Sequence, residues 1–497
     1  MFITLMILLP FIGAVIGILS KRAAIARVVA LVTSAISLFI SLIMYTMFDT
    51  AGGMQFTETV SWINSLGIKY MTGVDGIGFP LVILANIVVP LTIIFAWSEK
   101  KDAHIFFALI SILHAGVLGV FTSLDFFMFY IYWEVTLIPM YFLISIWGGP
   151  KKDYAAIKFF IYTHVASLIM LLAIFGLYFE GWMKTGTPSF DIIYLIKDVY
   201  PGLSPIMRDA IFLGLLFGFI VKMPSVPFHT WLPDAHVEAP TAGSVLLAAV
   251  LLKMGGYGLF RFMLPLLENV GSRQLMIYIL AVLGIVSILY GTFAALSQKD
   301  LKKMVAYSSI SHMGYVTLGA AALVPMSVAG AMFQQFSHGL ITCVLFMSCG
   351  VIQHNTGTRI IHELGGLAAK MPKLAFLMLA SFMASLGLPA MSGFIAEFLV
   401  LTYAYQALPI FVILALLGIV PTAGYHLWAM QRAMFGEFNE KVKDPHGGPL
   451  KDLAINETIA MAAIILLVIY FGVNPSPILN MMEASATSLV AGMGGMI

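Results

Sequence analysis

The sequence predicts an all-α polytopic membrane protein with about fourteen transmembrane helices. Three observations lead there. Of 497 residues, 60% are hydrophobic and only 10% charged, against about 25% charged in a soluble chain. Mean hydropathy is +0.98, more apolar surface than a water-soluble fold of this length can hide. The apolar residues come in continuous runs of about 20, the length of a membrane-spanning helix, without the period-two alternation of a membrane β-barrel. These facts exclude a soluble enzyme, a nucleic-acid binder and a disordered chain. A net charge of +2 calls for no polyanionic partner such as nucleic acid.

The opening run MFITLMILLPFIGAVIGILSKR lacks the basic start and small-residue cleavage site of a signal peptide, and reads as a first span over 2–19. Further spans read at 26–48, 76–97, 104–121, 126–147, 155–179, 210–232, 242–265, 274–296, 303–323, 325–352, 374–403, 407–431 and 456–473. The longest gaps, 49–75, 180–209 and 432–455, are too short for a soluble domain. Two spans carry helix breakers. Lys222 is followed by Pro224, Pro227 and Pro233, and Glu397 follows Gly387, Pro389 and Gly393. These are spans 7 and 12, each the fourth of five if spans 4–8 and 9–13 form two units. Paired broken helices in two halves point to a transport site. The predicted organisation is therefore 1–103 for three N-terminal spans, 104–266 and 267–432 for the two units, and 433–497 for a loop and the last span.

Lys and Arg set the expected orientation. Eighteen lie in loops after odd-numbered spans, Lys158, Lys302, Lys303 and Lys443 among them, and six on the other side. Both termini are thus expected on the non-cytoplasmic side. The SQKDLKK run at 297–303 reads as one of these basic loops.

The two remaining basic residues, Lys222 and Lys253, lie inside spans, as do Glu134 and Glu397. Lys253 is about twelve residues deep, roughly 18 Å from the membrane edge at 1.5 Å per residue. A charge at the bilayer centre costs at least about 2.5–3.5 kcal/mol on insertion scales. Structural ion pairs are the plain alternative, but buried pairs often add little net stability. Lys and Glu together suit proton handling, because burial and a movable partner shift the proton affinity of each in opposite directions. His114, His164, His312, His338 and His426 also fall within spans. Individually each is as readily a packed residue as a proton carrier. His312 in SISHMGY and His338 in FQQFSHGL stand out, with Ser311, Gln334, Gln335 and Ser337 beside them.

Other chemistry finds no support. His229, Asp234, His236 and Glu238 match no zinc spacing, and His362–Glu363 lacks the second histidine of H-E-x-x-H, so no metal site is predicted. Cys343 and Cys349 are too few for an iron–sulfur cluster and read as packed thiols. With no phosphate-binding loop and no dinucleotide fingerprint, energy must come from an ion gradient or a partner.

Residues 218–262, GFIVKMPSVPFHTWLPDAHVEAPTAGSVLLAAVLLKMGGYGLFRF, with FYIYWEVTLIPMYFLI, AYSSISHMGYV, FSHGL and GFIAEF, resemble the antiporter-like membrane subunits of respiratory complex I, the M-type chain above all. The resemblance spans essentially the whole chain. It implies fourteen spans with two inverted five-helix repeats. It also implies proton translocation driven by electron transfer in partner subunits, with no cofactor in this chain. Flavin and iron–sulfur clusters are then expected in a redox peripheral arm, beside neighbouring antiporter-like subunits in an energy-transducing membrane. By position, Glu134 looks like the family's span-5 glutamate paired with Lys222, and Lys253 like the central lysine. His312 and His338 look like connecting histidines, and Glu397 like the distal exchange residue, where the L- and N-type chains usually place lysine. The second reading is the similar D-type chain of a multi-subunit sodium/proton antiporter. In either case protons are expected to pass from Lys222 and Lys253 through His312 and His338 to Glu397. The electron donor, whether NADH, F(420)H(2) or ferredoxin, binds elsewhere and stays open.

Overall fold

The structure, a computed structural model, describes residues 1–442, 444–445 and 448–492; Lys443 of the expected basic loop lies outside them. In chain order its main helices are α1 (Phe2–Ser20), α2 (Ala23–Met47), α3 (Phe79–Ser98), α4 (Ala103–Thr122), α5 (Phe126–Trp147), α6 (Lys152–Thr185), α7 (Pro205–Lys222), α8 (Trp231–Glu238), α9 (Thr241–Leu267), α10 (Arg273–Leu296), α11 (Leu301–Ala321), α12 (Pro325–Thr356), α13 (Pro372–Ser385), α14 (Ser392–Ala404), α15 (Pro409–Met434), α16 (Ile455–Val473) and α17 (Ser476–Gly492).

Among the described residues, eleven helices are long and apolar enough to cross a membrane. The other three expected spans are helical but differ in kind. Region 210–232 divides into α7 and α8, and region 374–403 into α13 and α14. The third, α11, has the length of a span, but Lys302, Lys303, Ser308, Ser309, Ser311 and His312 make it too polar. Pro224 and Pro227 fall in the first break, whereas Pro233 sits in the first turn of α8, where a missing N–H costs nothing.

The fold is not purely helical. The 49–75 gap holds an antiparallel hairpin, β1 (Gln55–Ile63) and β2 (Ile68–Val74). Its β-branched and aromatic residues favour strand, and Gly67 turns the chain at φ 68°. Beyond the last span, the tail forms α17, which buries Ile478, Met481 and Met482.

Two helices make the centre. The apolar stretch of α9 is 100% buried and that of α12 94%, against 39% for α1 and 33% for α2 at the rim. These central helices carry Lys253 and His338. Glycine brings their neighbours close. A Cβ on Gly255 would stand 2.5 Å from the Phe219 carbonyl of α7, and one on Gly256 would stand 2.1 Å from Gln335 of α12. Small residues at such crossings let membrane helices approach backbone to backbone.

Candidate functional site

A line of buried polar groups crosses the centre. The Lys253 ammonium, 0% exposed, donates to Nδ1 of His338 and to the Ala248 carbonyl, both at 2.7 Å. Ala248 belongs to a widened π-helical turn, Leu247–Leu251, just before the lysine. Such turns shift the helical bonding register and recur at functional sites. The His338 ring lies 5.5 Å from that of His312. His312 donates from Nδ1 to Glu397 at 2.8 Å and accepts at Nε2 from the Ser385 hydroxyl at 3.2 Å. Gln334 donates to the same Glu397 oxygen at 3.2 Å. The α13–α14 break positions these groups, since Ser385 ends one half-helix and Glu397 lies in the second turn of the other. Gly387 at φ 84° makes the turn between them. Gly393 lets the two halves touch, as a Cβ there would stand 2.2 Å from the Ala384 carbonyl. Between His312, His338 and Glu397 lies a cavity of about 10 Å³, room for one water.

The first unit is arranged differently. Glu134 on α5 accepts from His164 Nδ1 at 3.0 Å and from the Ser167 hydroxyl. Lys222, the last residue of α7 and 2% exposed, has no hydrogen-bond partner. Its ammonium sits over the rings of Trp133 at 5.4 Å and Phe159 at 5.9 Å. Cation–π attraction and the field of Glu134 offset part of its desolvation. Within ion-pair distance, however, Glu134 meets His164 rather than Lys222. The broken chain caps its own loose end here, as Trp231 donates to the Val221 carbonyl at 2.9 Å.

Three basic residues read as loop charges occupy other places. Lys302 is 2% exposed, and its ammonium donates to the Ala239 carbonyl at 2.6 Å. Asp300 caps the start of α11, so the helix begins before Lys302 and turns it inward. The LKK pattern resembles a surface run and hides that. Lys158 lies within α6 and pairs with Asp234 at 2.6 Å. Arg261, near the end of α9, forms a two-pronged pair with Asp75. Burial raises the Asp75 carboxyl, but the Arg261 charge and hydrogen bonds, with the Ile77 and Gly78 amides, hold it below its ordinary value of 3.8.

The His229–Glu238 segment is scattered. His236, 0% exposed, stacks on Phe346 at 4.4 Å, with both ring nitrogens unbonded. His229 lies 4.8 Å from the Tyr290 ring, and Glu238 accepts from the Lys151 amide at 2.8 Å. Among the described residues no group of three His, Cys, Asp or Glu side chains is gathered as metal ligands would be. His114 meets Asn86 at 2.9 Å, a packed histidine. Cys343 and Cys349 are both buried and free.

The pattern of a family described as NADH:quinone oxidoreductase/Mrp antiporter, transmembrane region, matches residues 123–422. The chain is 56% identical to F(420)H(2) dehydrogenase subunit M of Methanosarcina mazei, over 99% of each chain. It is 40% identical to NADH-quinone oxidoreductase subunit M of Rhodobacter capsulatus, over 94% of this chain and 90% of that one. Among solved structures, a chain of respiratory complex I from Thermus thermophilus with bound NADH superposes with a TM-score of 0.89 at 30% identity, covering 100% of both.

Proposed function

This chain belongs to the NADH:quinone oxidoreductase/Mrp antiporter membrane family, and we propose that it is the proton-translocating M-type subunit of a redox-driven assembly of the complex I kind. The observation that carries this reading is the line from Lys253, bonded to His338, across 5.5 Å between the rings of His338 and His312, to Glu397, bonded to His312. The greater identity to the F(420)H(2) dehydrogenase subunit, 56% against 40% for the NADH-linked relative, favours a reduced deazaflavin as the donor. That donor binds a partner subunit, as do the flavin and iron–sulfur groups that carry its electrons.

In this scheme the two five-helix units, spans 4–8 and 9–13, are inverted repeats of a fourteen-span chain. Both termini lie on the non-cytoplasmic side. Lys222 and Lys253 take up protons from the cytoplasmic side. Lys253 passes a proton to His338, His312 relays it, and Glu397 releases it on the far side. Glu134 moves between His164 and Lys222. When it turns to Lys222, the opposite charge stabilises the ammonium; when it returns to His164, the lysine is left to release its proton. This motion relays a charge change from the neighbouring antiporter-like subunit.

The test is the purified assembly in proteoliposomes, supplied with F(420)H(2) or NADH, with proton uptake followed by a pH-sensitive dye. Glu397→Gln in the assembled complex should lower the protons moved per electron. An unchanged ratio rules this function out. A cofactor-free assembly exchanging sodium for protons would instead establish the antiporter reading, which the family's shared membership with Mrp chains supports.

A further inference from the structure

Two adjacent residues of α15 have no part in this scheme. Tyr425 and His426 are 2% and 0% exposed. Nε2 of His426 lacks a hydrogen-bond partner, and the Tyr425 hydroxyl makes no bond of good geometry, facing only the Thr422 and Ser308 hydroxyls, although buried polar atoms normally have a partner in protein or ordered water. Their rings lie 4.3 Å apart. Nδ1 of His426 donates to the Thr422 carbonyl at 2.9 Å. The Thr422 hydroxyl joins that of Thr292 at 3.2 Å, and Thr292 joins Ser311 at 2.9 Å, beside His312 in sequence. Inward, the His426 ring packs at 5.1 Å against Phe382 of α13, three residues before Ser385, whose hydroxyl bonds His312. Outward, Tyr425 lines a cavity of about 60 Å³ among basic-face residues, room for several waters. Lys299, His362 and Arg432 stand around it, and the Arg432 guanidinium is held 3.9 Å over the Trp428 ring.

We propose that Tyr425 and His426 form a second proton lead, joining this cavity to His312 and Glu397 without passing through Lys253. The inference rests on the pumping role proposed above. A hydronium ion in the cavity passes a proton by way of the Tyr425 hydroxyl, which lines it, to Nε2 of His426, and is left as water. The imidazolium returns that proton, through an intervening water, to the Glu397 carboxylate. His426 ends neutral and Glu397 ends as the acid. Tyr425 orients the water by its hydroxyl.

The experiment uses the whole assembly in proteoliposomes and reads protons moved per electron. The Lys253→Met background removes the first lead. There, Tyr425→Phe or His426→Phe should lower the remaining ratio about twofold or more. If neither does, the second lead is wrong and the pumping role stands. If Lys253→Met itself leaves the ratio unchanged, the Lys253 lead is wrong, and the second lead is also wrong unless Tyr425→Phe or His426→Phe then lowers the ratio. Should the buried variants fail to assemble, Gln298→Cys at the cavity offers another route. A bulky thiol reagent added from the basic face should plug it and lower the Lys253→Met ratio about twofold, because Cys343 and Cys349 are 0% exposed. A labelled complex with no further loss overturns the lead.

Discussion

The two halves of the chain hold the same kinds of charge in opposite ways. In the first, Glu134 is bonded to His164 and Ser167 while Lys222 stands unbonded over two aromatic rings. Elsewhere Lys253, near the end of the first half, lines up with the histidines and glutamate of the second. An unbonded buried ammonium is costly and therefore responsive. The line is bonded at both ends and open only between the two histidine rings. Under the proposed function the contrast assigns sensing to the Glu134–Lys222 pair and transfer to the line from Lys253 to Glu397.

A third arrangement, Asp75 with Arg261, calibrates both. Arg261→Met leaves a buried carboxylate unpaired, an expected loss of about 3–5 kcal/mol, visible as poor assembly or a lower unfolding temperature. The ratio of protons to electrons in whatever assembles should not change. The Asp75 carboxyl titrates below 3.8, so its contribution is fully present above about pH 4 and is lost only as pH falls through the lowered value. A pump assay between pH 5 and 8 therefore cannot confuse it with the transport groups.

Next in size is the line itself. Lys253→Met should cut the subunit's proton transfer more than about tenfold, read as a drop in protons per electron with electron transfer still measurable. Wild-type coupling in this variant would reduce the line to a structural feature. Glu134→Gln should cost less, about threefold to tenfold. It keeps a bond to Ser167 but removes the charge that acts on Lys222. If it equals Lys253→Met, sensing and transfer are not divided as stated. Smallest is Ser385→Ala, under about twofold, because it takes one hydroxyl from His312 and leaves the Glu397 bond. A larger loss would make Ser385 part of the relay.

The sequence announced the fold through apolar run length and the two breaks through Pro224, Pro227, Gly387 and Pro389. It placed Lys222, Lys253, Glu134 and Glu397 inside spans because an apolar run makes a charge conspicuous. It did not reveal that Glu134 meets His164, because partner choice depends on packing between helices rather than on position within one. Lys302 escaped notice because its neighbours are charged, and only the Asp300 cap shows that the helix has already begun. The widened turn before Lys253 has no composition signal at all, since LAAVL is as good an α-helix as any. The hairpin is too short and too polar to register as an apolar run, so the 49–75 gap carries no sign of it in length.

Gly255 and Gly256 carry one more consequence. They let α9 touch the α7 backbone at Phe219 on one side and the Gln335 side chain of α12 on the other, so the helix that bears Lys253 is pressed directly between the two. Coulomb energy falls with distance, and this contact acts like a pair of capacitor plates set as close as matter allows. A single methyl group there would be insulation. Under the proposed function it would push these helices apart and weaken the signal between them, although it removes none of the titratable side chains.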